Sequence, residues 1–142
     1  MLIAEILKDK GPDVYTAGAA DSLESTIQSL ENKRVGALVV CDGDRVVGIV
    51  SERDLVRAVA QHGGSALARP VGDYMTREVV FAEPTETVAL LMERMTDRRI
   101  RHLPVLQDGR LVGVVSIGDL VKSQIAEATF EAESMKAYIG AG

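Results

Sequence analysis

The sequence predicts an α/β (α+β) protein made of two β-α-β-β-α units. A pseudo-twofold axis relates the units, their sheets pack together, and the helices lie outside. Three observations predict it. The chain repeats itself at an offset of 65 residues, and no gap is needed from Val14 to Ala60. Each copy joins one stretch of helical periodicity to two short apolar runs separated by a Gly-containing turn. The chain has 142 residues, of which 46% are hydrophobic and 26% charged, enough for a core without disulfides or metals.

The repeat is dense. Arg45-Val-Val-Gly-Ile-Val-Ser-Glu-Arg-Asp-Leu-Val56 lies over Arg110-Leu-Val-Gly-Val-Val-Ser-Ile-Gly-Asp-Leu-Val121, and Arg34, Leu38 and Val40 match Arg99, Leu103 and Val105. In the first copy Asp21 or Ser22 can cap a helix reaching about residue 32, with Leu23, Ile27 and Leu30 on one face. In the second, Thr85 or Thr87 starts the equivalent helix, and Val88, Leu91, Met92 and Met95 are its apolar positions. Buried strands are expected at 36–41 and 102–106, partner strands at 45–50 and 110–115, and initial strands near 14–15 and 79–81. A further helix opens at Ser51 and at Ser116. The segments at 2–8 and 121–138 also read as helical. The organisation expected is an N-terminal helix at 1–12, a first repeat at 13–62, a linker at 63–78, a second repeat at 79–126 and a helical tail at 127–142. Two sheets packed face to face should share one core.

Composition narrows the function. Aromatic residues make up 4% with no Trp, which disfavours stacking platforms for single-stranded nucleic acid. A net charge of −5 lacks the basic footprint of a DNA binder. Cys41, the one cysteine, reads as a buried structural thiol. The N-terminus has no basic region followed by a long apolar run, so no signal peptide is expected. No stretch approaches the roughly 20 apolar residues of a membrane span. A soluble cytoplasmic protein is the expectation. His62 reads as a solvated loop residue, and Asp42-Gly-Asp44 as a hairpin turn lacking the other ligands of a calcium loop. No nucleophile–base pair and no metal constellation is present, so no catalysis is expected and no metal site is assigned.

The chemistry lies at the two strand-to-helix turns, Gly48-Ile-Val-Ser51-Glu-Arg-Asp54 and Gly113-Val-Val-Ser116-Ile-Gly-Asp119. Ser at a helix start, with free backbone N–H groups and the positive end of the helix dipole, suits a phosphate. Asp one turn in can accept from the two hydroxyls of a ribose. The same Ser-x-x-Asp spacing also suits a capping box, although Glu or Gln is usual at its last position. Duplication does not separate the two readings, because a duplicated cap is still a cap.

The paired Gly-h-h-Ser-x-x-Asp motif (h, hydrophobic), with the strand Arg101-His-Leu-Pro-Val105 before its second copy, resembles the cystathionine-β-synthase (CBS) domain; two in tandem form a Bateman module. The lead-in Val71-Gly-Asp-Tyr-Met-Thr76, and Ser22-Leu23 and Thr87-Val88 at the first helices, add to a resemblance spanning roughly residues 2–125. It implies an adenosyl ligand (AMP, ADP, ATP, NAD or S-adenosylmethionine) in clefts between the copies, regulation of an attached or separate partner, and no catalysis. AMP, NAD or ATP is the regulatory ligand expected. In one cleft Ser116 and Asp119 would hold phosphate and ribose, with Val114, Val35 and Gly36 beside the adenine. In the other, Ser51 and Asp54 would do so, with Ile49, Met75, Thr76 and Ile100 lining the base. Arg53 belongs to one cleft only; Gly118 stands at its equivalent. Arg101 and His102 would face the interior as phosphate residues, where the first copy has Gly36 and Ala37, so the clefts should be unequal. The resemblance and the apolar faces of the outer helices also imply a homodimer in which these helices meet, with the N- and C-terminal helices reinforcing or extending the contact. The alternative function is a structural or dimerising module whose clefts bind nothing.

Overall fold

The computed structural model describes residues 1–141; Gly142, the end of the expected tail, lies outside the described residues. Helix α1 (Ile3–Lys10) is followed by β1 (Thr16–Ala17), α2 (Leu23–Lys33), β2 (Ala37–Asp42), β3 (Arg45–Ser51) and α3 (Glu52–His62). Two 3₁₀ helices, Gly63–Ala68 and Val71–Asp73, carry the chain across. Then come α4 (Val88–Arg98), β4 (His102–Gln107), β5 (Arg110–Ser116) and α5 (Ile117–Ala141). Every repeated helix and strand from α2 to β3 recurs at the 65-residue offset.

Local chemistry explains the matching ends. Ser22 and Thr87, each the second of two residues open at that position, accept hydrogen bonds from Ser25 N at 3.1 Å and Leu90 N at 3.2 Å. Both helices end on an arginine in the left-handed region, Arg34 and Arg99, each with φ 55°. The β2–β3 and β4–β5 hairpins are antiparallel, with bulges at the equivalent steps Val40/Cys41 and Val105/Leu106.

Both initial strands lie later than the sequence pattern suggests, and the second is shorter. Thr16–Ala17 pairs parallel with Val39 and Val40 of β2, while the second copy keeps only the bridge Ala82↔Val105. Pro104 stands where β2 has Val39. It accepts from Ala82 N at 2.9 Å but has no N–H to extend the ladder.

The expected single core is divided in two. Leu38 and Val40 of β2 pack with Leu23, Leu30, Val50 and Leu55. Leu103 and Val105 of β4 pack with Val88, Leu91, Met95 and Val115. The division follows from the period-two alternation of strands. The apolar side of each sheet meets its own helices, whereas Ala37, Val39, His102 and Pro104 alternate to the opposite side.

What joins the halves is an exchange of lead-in segments. Helix α1 precedes the first repeat but packs on the second: Ile3 and Ile6 are buried in its core, and Ile3 N bonds Glu86 O at 3.0 Å. The segment preceding the second repeat packs on the first, burying Ala66, Val71 and Met75. Each lead-in touches the glycine of the opposite motif. A Cβ on Gly48 would lie 2.6 Å from Met75 Sδ, and one on Gly113 would lie 2.5 Å from Leu7 Cδ2. The glycines therefore serve a close approach between segments.

Candidate functional site

Two clefts lie where the repeats meet. Each joins the β-to-α turn of one repeat to the basic β-strand lead-in of the other.

The first has a volume of about 260 Å³ and is lined by Ser51, Arg53 and Asp54 from one repeat and Arg99, Ile100, Arg101, His102 and Pro104 from the other. Ile49, Gly36 and Thr76 complete its wall. Ser51 closes β3 as the N-cap of α3, which aims the start of the helix into the cleft. Ser51 N and Oγ both donate to Asp54 Oδ2, at 2.9 and 3.3 Å. Asp54 Oδ1 is the freer oxygen: Thr76 Oγ1 lies 3.5 Å away and Arg57 Nη1 4.0 Å. Thr76 also pairs its backbone with Ile49, donating at 2.8 Å and accepting at 3.0 Å. Arg53 Nη1 reaches across to Arg99 O at 3.4 Å.

The second cleft has a volume of about 400 Å³ and contains Val35, Gly36, Val114, Ser116 and Asp119. Here the capping contacts are reciprocal: Ser116 N donates to Asp119 Oδ2 at 2.9 Å, and Asp119 N donates to Ser116 Oγ at 3.1 Å. Lys10 of α1 enters the same cleft, with Nζ 2.7 Å from Asp119 Oδ2 and 2.8 Å from Val114 O. Burial alone would raise the Asp119 pKa. The Lys10 ammonium and the Ser116 N–H outweigh it and hold the carboxyl below its ordinary range.

His102 lines both clefts. A Cβ on Gly36 would lie 3.0 Å from its Nε2, so the two residues touch across the repeat interface. Burial, then the charges of Lys10 and Arg101, lower the imidazole pKa against the opposing pull of Glu52 and Asp119.

Of the fourteen residues singled out from the sequence, thirteen line one cleft or both. Met75 does not: it is 8% exposed and sits in the first repeat's core against Gly48. Residues that the sequence did not single out for the clefts are also present. Arg57, Arg99 and Glu52 lie at the first cleft, and Lys10, Asp13 and Arg34 at the second. The match of Arg34 with Arg99 at the 65-residue offset was the available signal for those two. Lys10 had no such signal, since it lies before the first residue of the gap-free repeat. Among the described residues no cluster of His, Cys, Asp and Glu could hold a metal ion, and no helix is long and apolar enough to cross a membrane.

The fold and clefts define a tandem pair of small α/β domains with ligand-sized spaces between them. The CBS domain family profile matches residues 3–61 and 71–126, and the chain belongs to that family. It is 35% identical to the mitochondrial CBS domain-containing protein CBSX3 of Arabidopsis thaliana, over 99% of this chain and 72% of that one. The crystal structure of a CBS-domain containing protein from Agrobacterium tumefaciens superimposes with a TM-score of 0.85 at 42% identity, covering 87% of this chain and 99% of that one. Two other relatives were solved with ligands. A CBS domain protein from Pyrobaculum aerophilum is complexed with AMP (TM-score 0.75, 32% identity, 84% and 89% covered). The CBS domain pair of protein MJ0100 is complexed with 5′-methylthioadenosine and S-adenosyl-L-methionine (TM-score 0.80, 26% identity, 89% and 98% covered).

Proposed function

We infer that the protein is a regulatory module that binds an adenine nucleotide, with AMP, NAD or ATP the ligand, in the clefts between its repeats. The observation that carries this reading is the composition of each cleft. A helix N-terminus with its Ser and Asp comes from one repeat, and basic residues come from the other. The helix end and the arginines favour phosphate. In this reading Asp54 Oδ1 accepts from ribose hydroxyls, a role supported by its position at the cleft, and the aliphatic Ile49, Ile100 and Val80 offer a surface to the base. The adenosyl ligands of the two relatives support the same chemistry. Binding across both repeats would fix their relative tilt, and a homodimer joined through the outer helices would pass that tilt to a separate partner protein. In this reading the module performs no catalysis and engages neither nucleic acid nor membrane.

The rival is a structural module with unoccupied clefts. It is favoured by one fact: both Ser–Asp pairs are already engaged in capping their own helices. Calorimetry against AMP, ATP, NAD and S-adenosylmethionine separates the two. A ligand at 100 times its Kd adds about 2.7 kcal/mol of stability, a rise of several degrees in Tm. No heat and no thermal shift at millimolar concentration with any of the four would leave the structural module standing.

A further inference from the structure

The lead-ins that cross between the repeats are not equivalent. Leu7 meets Gly113 as Met75 meets Gly48, yet seven positions separate Leu7 from Val14 and four separate Met75 from Val79. The first lead-in is three residues longer, and the extra length carries Lys10 at the last turn of α1. In the first cleft Thr76 N donates to the carbonyl of Ile49 at 2.8 Å, and Thr76 Oγ1 stands 3.5 Å from Asp54. In the second, one ammonium contacts both the strand carbonyl and the carboxylate, the latter through Oδ2, the oxygen that also takes the Ser116 N–H, whereas Thr76 approaches the other oxygen of Asp54. Lys10 Nζ donates to the carbonyl of Val114, the repeat partner of Ile49, at 2.8 Å and to Asp119 at 2.7 Å. A backbone donor lies along the sheet edge, but a side-chain ammonium occupies the notch between strand and carboxylate. That notch is where a ribose would have to bridge base and phosphate.

Charge reinforces the difference. Arg53, Arg57, Arg99 and Arg101 outnumber Glu52, Asp54 and Glu78 at the first cleft. At the second, Lys10 and Arg34 are balanced by Asp13 and Asp119.

Building on the nucleotide reading above, we propose that Lys10 is a built-in occupant of the Asp119 cleft, so that one nucleotide binds per chain, in the Asp54 cleft, and the second cleft opens only when α1 gives up this contact. The Lys10 ion pair is partly exposed, and with the bond to Val114 O it holds the ammonium in the notch without locking it there. The latch is therefore one that a change at α1 can release. Because α1 also buries Ile3 and Ile6 in the second repeat, occupancy of the Asp119 cleft becomes tied to the seating of the N-terminal helix.

Titration calorimetry with AMP on the full chain tests this. The wild type is expected to take one AMP per chain and Lys10→Met two, the second within about tenfold of the first in affinity. Asp54→Asn is expected to weaken binding at least tenfold when Lys10 is present and to leave one site of unchanged affinity in the Lys10→Met background. Lys10→Gln, which is polar but uncharged and one bond too short to span Val114 O and Asp119, is expected to match Lys10→Met and guards against a folding defect in either variant. Two equal sites in the wild type would overturn the proposal while leaving the nucleotide reading intact. So would a single or weakened site in both Lys10 variants, the result expected if Lys10 were instead a phosphate ligand. Absence of binding to every chain would overturn the nucleotide reading itself, and this proposal with it.

Discussion

Asp54 is 7% exposed, and one of its oxygens already caps α3, so a substitution there perturbs two things at once. Their magnitudes separate them. Losing the cap to Ala costs about 1 kcal/mol of stability. Losing charged hydrogen bonds to two ribose hydroxyls costs roughly 1.5–3 kcal/mol each, or at least tenfold in affinity. Asp54→Asn keeps an acceptor for the Ser51 N–H, so its Tm should stay near that of the wild type while nucleotide affinity falls. A variant that melts lower and binds normally would mean that the residue only caps. His102 makes a second, pH-dependent prediction. Its folded pKa lies below the unfolded value near 6.5, chiefly through burial, so the unfolded chain binds more protons in that range. The associated stability is fully present above about pH 6.5 and is lost as pH falls from there through the folded pKa. Urea denaturation at pH 5.5 and 7.5 should show this loss, and His102→Gln should reduce it. An anionic phosphate beside the ring favours the imidazolium against the flanking Lys10 and Arg101. Binding of NAD, whose diphosphate keeps its charge from pH 7.5 to 6 while the phosphomonoester of AMP does not, should therefore take up a proton, seen as a buffer-dependent heat, and should tighten over that range in the wild type but not in His102→Gln.

At the scale of elements, the two motif glycines carry unequal consequences. A Cβ on Gly48 would meet not only the buried Met75 side chain but also Thr76 O at 3.0 Å, a backbone atom held by the Ile49 pairing. A Cβ on Gly113 meets only Leu7, whose half-buried side chain can turn away. Gly48→Ala should cost about 1–3 kcal/mol in chemical denaturation, and Gly113→Ala clearly less. Equal losses would show that the lead-ins are equally rigid. The same elements show what was legible in the sequence. Helices and hairpins could be read because capping residues, apolar periodicity and turn glycines are local, and the second copy repeated each signal. Thirteen cleft residues could be placed because they belong to those local turns and strands or to the family resemblance. The crossing of the lead-ins was not legible, since nothing local in Ile3, Ile6 or Met75 says which repeat they bury against. Met75 and Lys10 follow from that. The first resembles a cleft residue and lies in a core; the second precedes the repeated pattern and lies in a cleft. The shared core failed for a related reason. Alternation puts Leu38, Val40, Leu103 and Val105 on the helix sides, leaving a mixed surface between the sheets with the clefts at its edges.

At the scale of the whole molecule, the outer helices hold apolar surface that the two cores do not use. Between α2 and α3 a groove is floored by the core residues Leu30 and Leu55 and rimmed by Ile27, Val56 and Val59, of which Val56 is 69% exposed. On the second repeat Val121 and Ile125 are exposed, and beyond them α5 carries Phe130, Met135, Tyr138 and Ile139 in solvent. Helix α1 adds little to this surface, because its apolar residues Ile3 and Ile6 are buried in the second repeat. Apolar surface of this extent left in solvent marks a contact face, and a twofold pairing is the commonest way to cover one. The proposed homodimer therefore predicts a definite pattern rather than only a mass. Light scattering should return about twice the 15.2 kDa chain mass. Val56→Lys, exposed within one chain and so tolerated by its fold, should shift the protein toward monomer with its Tm at high dilution unchanged. Substitution at the residue that precedes α1, Leu2→Lys, should leave the mass as it was. A wild-type monomer at tens of micromolar, with or without nucleotide, would refute the dimer. Dissociation by Leu2→Lys but not by Val56→Lys would place the interface on the wrong side of the molecule for the outer helices to carry the signal.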